Sequence, residues 1–207
     1  MERIRSCQPI LLTVFCVLLP ACAPKTPTLP KLAPDAVIVA FGDSLTYGSG
    51  ANPNENYPAV LQALTGRTVI NAGVPSEVSE AGLQRLPEVL DRQHPALLIL
   101  CHGGNDLLRR LDRQHISDDL RAMIQLARQR GVAVMLIGVP EPKLLWRDTA
   151  PLYTELAEQL HVPIETEALR KIESDTALKS DAVHPNAAGY RQLAEAVRAL
   201  LQRAGAL

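Results

Sequence analysis

The chain has 207 residues, enough for one domain with a substantial core and too few for two comfortable ones. Apolar residues make up 47% and charged residues 21%, so a packed body is expected and a disordered chain is not. A net charge of -1, without any run of Lys or Arg, removes the electrostatic case for nucleic acid and leaves small molecules, lipids or proteins as partners.

Arg3 and Arg5 lead into an apolar stretch, Ile10 to Leu19, with small residues behind it. This is the layout of a secretory signal over residues 1–22. At about ten residues the apolar stretch is too short to span a membrane comfortably. It ends in Leu19-Pro20-Ala21-Cys22, which is similar to the lipobox of bacterial lipoproteins, in which the cysteine is lipidated and becomes the new N-terminus; Pro20 is the departure from that pattern. The resemblance implies a lipid anchor on Cys22, and Ala23 behind it, in place of an aspartate that retains lipoproteins in the inner membrane, favours the outer membrane with the body facing the periplasm. An ordinary secretory signal with an incidental cysteine would leave a soluble periplasmic protein instead. Cys7 and Cys16 fall in the signal and Cys22 at its end, so Cys101 is the one cysteine of the body and no internal disulfide can form there. Cys101 lies in an apolar run and reads as an inert core residue. Residues 23–35 carry Pro24, Pro27, Pro30 and Pro34 and read as an extended tether, with a single domain over 36–207.

From there the chain alternates. Val37 to Phe41 reads as a buried strand, Tyr57 to Leu64 as a helix, Thr68 to Asn71 as a strand, and Glu77 to Arg92 as a helix kinked at Pro87. Ala96 to Cys101 is a buried strand, Ile116 to Arg130 a helix stopped by Gly131, and Val132 to Val139 the next strand. Leu152 to Leu160 reads as a helix, Val162 to Ile164 as a stub of strand, and Ala187 to Ala204 as a closing amphipathic helix. Such alternation predicts an α/β fold, a three-layer sandwich around a mainly parallel five-stranded sheet. In a flavodoxin-like strand order, 2-1-3-4-5, ligands bind where the order reverses, between strands 1 and 3. The loops that follow those strands are Gly42-Asp43-Ser44 and His102-Gly103-Gly104-Asn105-Asp106.

A turn and a helix cap would use Gly42, Asp43 and Ser44 as readily as an active site would. A serine nucleophile needs a base, and the base an orienting acid. Of the five histidines, only His184 has a carboxylate at a short, loop-compatible distance with turn residues behind it, in Asp181-Ala182-Val183-His184-Pro185-Asn186. Pro185 keeps residue 184 from continuing a helix easily, so the imidazole is presented from a loop, and Asp181 can turn back to accept the Nδ1 hydrogen. His102 reads as a core or supporting histidine, while His94, His115 and His161 fall on helix ends and surfaces. Acyl transfer also needs donors for the oxyanion, and the Asn105 amide and the Ser44 backbone N–H can supply two. No metal-ligand or phosphate-loop spacing is present, so neither a metal nor another cofactor is indicated.

Four blocks occur in order: Gly42-Asp43-Ser44-Leu45-Thr46, Asn71 to Glu77, Gly103-Gly104-Asn105-Asp106, and Asp181 to Pro185. Together they resemble those of the SGNH or GDSL hydrolases, most closely the subgroup of secreted thioesterases, lysophospholipases and arylesterases, over residues 36–204. The resemblance implies Ser44 as nucleophile, Asp181 and His184 as its acid and base, and Ser44, Asn105 and a third backbone donor as the oxyanion hole. That third position, usually glycine in the family, is here Ser76, with Gly73 three residues earlier. The implied reaction is hydrolysis of a small ester, thioester or lysophospholipid through an acyl-serine, without a cofactor. Leu144, Leu145 and Trp146, in the loop after strand 4, could wall the acyl side of the groove or simply pack against a helix. A cell-wall or carbohydrate O-acetylesterase, or a catalytically silent envelope lipoprotein of the same fold, are the alternatives.

Overall fold

The two longest buried apolar runs become the centre of the sheet in a computed structural model of the chain, which describes residues 26–141 and 148–207. Val37–Gly42 (β1) and Leu97–Cys101 (β3) pair in parallel, and almost every residue of both is closed off from solvent. Continuous apolar sequence is what a strand covered on both faces requires. Thr68–Gly73 (β2) pairs on the other side of β1 and, as an edge, buries only Val69. Ala133–Ile137 (β4) pairs with β3, and the two-residue strand Ile164–Glu165 (β5) closes the opposite edge. The sheet order is β2-β1-β3-β4-β5, all parallel, as the alternation predicts.

Eight helices accompany these strands among the described residues: Ser44–Tyr47 (α1), Tyr57–Thr65 (α2), Ser79–Gln93 (α3), Gly104–Leu108 (α4), Arg113–Gln129 (α5), Pro151–Leu160 (α6), Ala168–Ser174 (α7) and Ala187–Arg203 (α8). One layer joins α2, α7 and α8, and the other α3, α5 and α6. Side chains of Asp43, Asn56, Asp112 and Asn186 accept first-turn N–H groups of α1, α2, α5 and α8, which explains where these helices begin. Pro87 lies inside α3, which continues across it as one element.

The proline-rich segment departs from the tether reading over part of its length. Leu29 N–H donates to Ala204 O at 2.8 Å and Leu32 N–H to Ala206 O at 2.9 Å. Leu32 is buried in the core, and Arg67 Nη2 donates to the Leu32 carbonyl at 3.0 Å. Prolines leave the segment extended with its remaining N–H groups unpaired by local structure, and two leucines give it an apolar face to dock. From Leu29 onward it is therefore part of the domain. Cys22, residues 1–22 and the trio Leu144, Leu145 and Trp146 lie outside the described residues. No helix among the described residues is long and apolar enough to cross a membrane.

Candidate active site

Pairing sets Gly42 of β1 beside both Gly73 of β2 and Cys101 of β3, so three loops leave the sheet at one level. A Cβ on Gly73 would overlap the Tyr47 backbone, and glycine lets the two loops touch. Asp43 caps α1 by accepting the Leu45 N–H at 3.0 Å, and Ser44 is the first residue of that helix. The turn-and-cap reading of these residues thus holds for Asp43, and it places the Ser44 hydroxyl at the cavity. Burial pushes the Asp43 carboxyl above its usual range, against N–H donors from Leu45 and Gly104 that tie it to two of the three loops.

His184 Nε2 lies 3.0 Å from Ser44 Oγ, across 140 residues of sequence. Its Nδ1 lies 2.8 Å from Asp181 Oδ2. A carboxylate can only accept, so the ring proton sits on Nδ1 and Nε2 is left as an acceptor for the serine hydroxyl. Asp181 Oδ1 also accepts the backbone N–H groups of Val183 and His184, both at 2.8 Å. The His184 backbone N–H first, then the His184 ring and the Val183 N–H, outweigh burial and hold the carboxyl at about 2. Ser180 N–H closes the loop on His184 O at 2.9 Å, and Pro185 bridges Lys179, which fixes the imidazole from behind.

Opposite the serine, Gly103 takes φ 95 and starts α4, whose second residue is Asn105. Ser44, Ser76, Asn105 and His184 line one cavity of ≈ 230 Å³, with Leu108 and Val139 among its apolar walls. Ser76 has φ 66, a left-handed conformation that favours glycine and that few serines adopt. Neither its backbone N–H nor that of Ser44 donates to a protein group among the described residues. The Gly73 N–H is already taken by Asn71 Oδ1 at 3.0 Å, so of the two candidates at this loop Ser76 is the one with a donor to offer. Cys101 is buried as expected, and burial pushes its thiol well up. Glu77, Arg85 and Arg109, which hold the loop of Ser76, were not legible as site residues. The one available signal was the acidic residue directly behind Ser76.

A doubly wound sheet with a serine, a histidine and a carboxylate in hydrogen-bonded series at its switch point defines a serine hydrolase of the α/β/α type. The chain belongs to the GDSL-like lipase/acylhydrolase family, whose model matches residues 40–192, and it is a GDSL-type esterase. It is 28% identical over 185 residues to Esterase TesA of Pseudomonas aeruginosa, covering 82% of this chain and 89% of that protein. It is 27% identical to thioesterase 1/protease 1/lysophospholipase L1 of Escherichia coli K12, covering 77% and 79%. Among solved structures, the SGNH-hydrolase family esterase AlinE4 is 33% identical with a TM-score of 0.65, covering 84% of this chain and 98% of that one. A crystal structure of TesA is 26% identical with a TM-score of 0.73, covering 81% and 99%.

If Ser76 is held at φ 66 in spite of its side chain, glycine should suit the position better. Ser76→Gly is expected to raise stability by up to about 1 kcal/mol and to keep kcat within about tenfold, since the N–H is retained. Thermal midpoints and ester turnover of the two proteins check both halves. A drop in the midpoint would mean that the serine hydroxyl holds the loop.

Proposed function

We propose that the chain hydrolyses esters and thioesters through an acyl intermediate on Ser44. The supporting observation is the unbroken series Ser44 Oγ, His184 Nε2, His184 Nδ1, Asp181 Oδ2, with separations of 3.0 and 2.8 Å. His184 Nε2 takes the hydroxyl proton as Oγ bonds to the substrate carbonyl carbon. Negative charge moves to the carbonyl oxygen, which the N–H groups of Ser44 and Ser76 and the Asn105 amide receive. The imidazolium then protonates the leaving alkoxide or thiolate as its bond to carbon breaks, and water repeats the sequence to release the acid and regenerate Ser44. Small aryl and alkyl esters, acyl thioesters and lysophospholipids are the substrate class, in line with the names of the relatives. A panel of acetyl and octanoyl esters, thioesters and lysophospholipids tests the assignment. Hydrolysis confined to acetylated glycans would replace it.

The protein is proposed to hang from a lipidated Cys22 in the bacterial envelope. Leu29 and Leu32 dock on the residues that follow α8, at the edge of the sheet where strands begin, and the cavity lies at the edge where they end. Six residues, Ala23 to Thr28, separate the anchor from the docked segment. Six extended residues reach only about 20 Å, so the cavity opens away from the anchoring membrane and receives its substrates from the aqueous side. Cys22→Ser is expected to move the protein from the membrane fraction to the soluble one without changing turnover of a soluble ester. Wild-type protein already recovered unlipidated in the soluble fraction would sink the anchor.

A further inference from the structure

Neither the proton transfers nor the oxyanion contacts use the side chain of Glu77, yet it is built into the site's foundation. Only 8% of that side chain is exposed. A buried carboxylate persists where partners compensate its lost hydration. Arg85 on α3 supplies two contacts, Nε to Oε1 at 2.8 Å and Nη2 to Oε2 at 2.7 Å, the bidentate arrangement in which guanidinium and carboxylate match. His102, fully buried behind β3, faces Oε2 with Nε2 at 3.1 Å. The Gly103 N–H donates to the other ring nitrogen, Nδ1, at 2.9 Å, so the ring proton sits on Nε2 and points at Glu77. Phe41 of β1 completes the setting: the Arg85 guanidinium stands 4.2 Å from its ring centroid and the His102 ring 5.9 Å. Gly82 of α3 leaves room for this histidine, since a Cβ there would overlap the His102 ring.

The backbone of Glu77 carries that rigidity to the cavity. Its carbonyl accepts Asn105 Nδ2 at 3.0 Å. Because a carbonyl can only accept, the amide nitrogen of Asn105 must be the atom turned toward it, and the second amide hydrogen is left for the cavity. On the near side of the same residue, Arg109 Nη2 donates to Ser76 O at 2.9 Å, so the carbonyls of both peptides that flank the Glu77 Cα are held.

We propose that Glu77 is a positioning residue: clamped by Arg85 and His102, it fixes Ser76 and Asn105 relative to each other so that both donors aim at one oxygen. The role rests on the reading of Ser76 and Asn105 as oxyanion donors. It matters because such donors act by being in place before the charge develops, and a loop held at a left-handed serine would otherwise relax. Burial alone would raise the Glu77 carboxyl, but the His102 and Arg85 hydrogen bonds and the Arg85 charge overcome it and hold the group at about 2. The clamp therefore remains ionised across the neutral range.

The test is a double-mutant cycle in the full chain. Glu77→Gln keeps the size of the side chain and removes its charge and the two-pronged pair. It is expected to lower kcat on the order of ten- to a hundredfold with KM within about threefold, because alignment and not ground-state binding is lost. In an Asn105→Ala background the same change should cost less than about threefold, as two residues that act through one hole do not add. Urea midpoints establish that each variant is folded under assay. Should Glu77→Gln fail to fold, Arg85→Lys, which keeps the charge without the fork, takes its place in the cycle with the same expectations. Turnover within twofold of wild type, or a loss that multiplies in full with that of Asn105→Ala, would overturn the positioning role alone. An Asn105→Ala enzyme of unchanged kcat would overturn the donor reading beneath it.

Discussion

Ser44→Ala is expected to lower kcat for a soluble ester by about 10⁴- to 10⁶-fold, the range found when a triad nucleophile is removed. The loss should come without unfolding. Among the described residues the Ser44 hydroxyl has one hydrogen-bond partner, His184 Nε2, and α1 keeps its cap because that cap is Asp43. Residual turnover above the rate in water is expected, since the oxyanion donors and the cavity survive the substitution. Covalent labelling distinguishes loss of the nucleophile from loss of the site. A phosphonate ester should add its mass to the wild-type protein at Ser44 and leave the alanine variant unmodified. Turnover of the alanine variant within tenfold of wild type would remove Ser44 from the reaction.

Where chemistry and fold are written locally, the sequence is readable. Val37 to Phe41 and Leu97 to Cys101 are uninterrupted apolar runs, rich in Val, Ile and Leu and of strand length, as a strand covered on both faces requires. Alternation with amphipathic helices then limits the topology, and the reversal between β1 and β3 says where a ligand must sit. Asp181 and His184 are close in sequence, so their pairing could be proposed from spacing alone. The short helices α4 and α7 were hidden for the opposite reason: at five and seven residues they have too few turns to show a period. Docking of Leu29 and Leu32 escaped because their partners, Ala204 and Ala206, lie at the far end of the chain, and proline content describes stiffness without saying what a segment rests on. The clamp on Glu77 is less legible still. Arg85 falls on the helical stripe of α3 like any surface arginine, and His102 follows a buried strand like any core histidine. Only folding brings both onto one carboxylate. Ser76 was marked by the resemblance as an unusual residue at a position for glycine, and its φ of 66 shows what that position demands of the backbone.

Asp181→Asn is expected to lower kcat by about 10⁴-fold while leaving nearly every atom in place, as the equivalent change does in serine-protease triads. Oδ1 accepts the N–H groups of Val183 and His184, and the carbonyl oxygen of asparagine can keep both contacts. It cannot keep the acceptor 2.8 Å from His184 Nδ1, because an amide nitrogen there can only donate. The imidazole must then carry its proton on Nε2 and present a donor to Ser44 Oγ, where the reaction needs a base. Acidity gives an independent check. The carboxyl is held at about 2, so Asp181 should add no break of its own to the wild-type activity profile between about pH 4 and neutrality. For stability, a folded value below the ordinary 3.8 means that the contribution of Asp181 is complete above about pH 4 and is lost as pH falls through about 2. The stability difference between wild type and Asp181→Asn should narrow over that interval, while the difference in kcat is already full at neutral pH. An asparagine variant whose kcat stays within tenfold would show that the ring is oriented by its own loop, through Ser180 and Pro185, and that Asp181 serves the backbone more than the base.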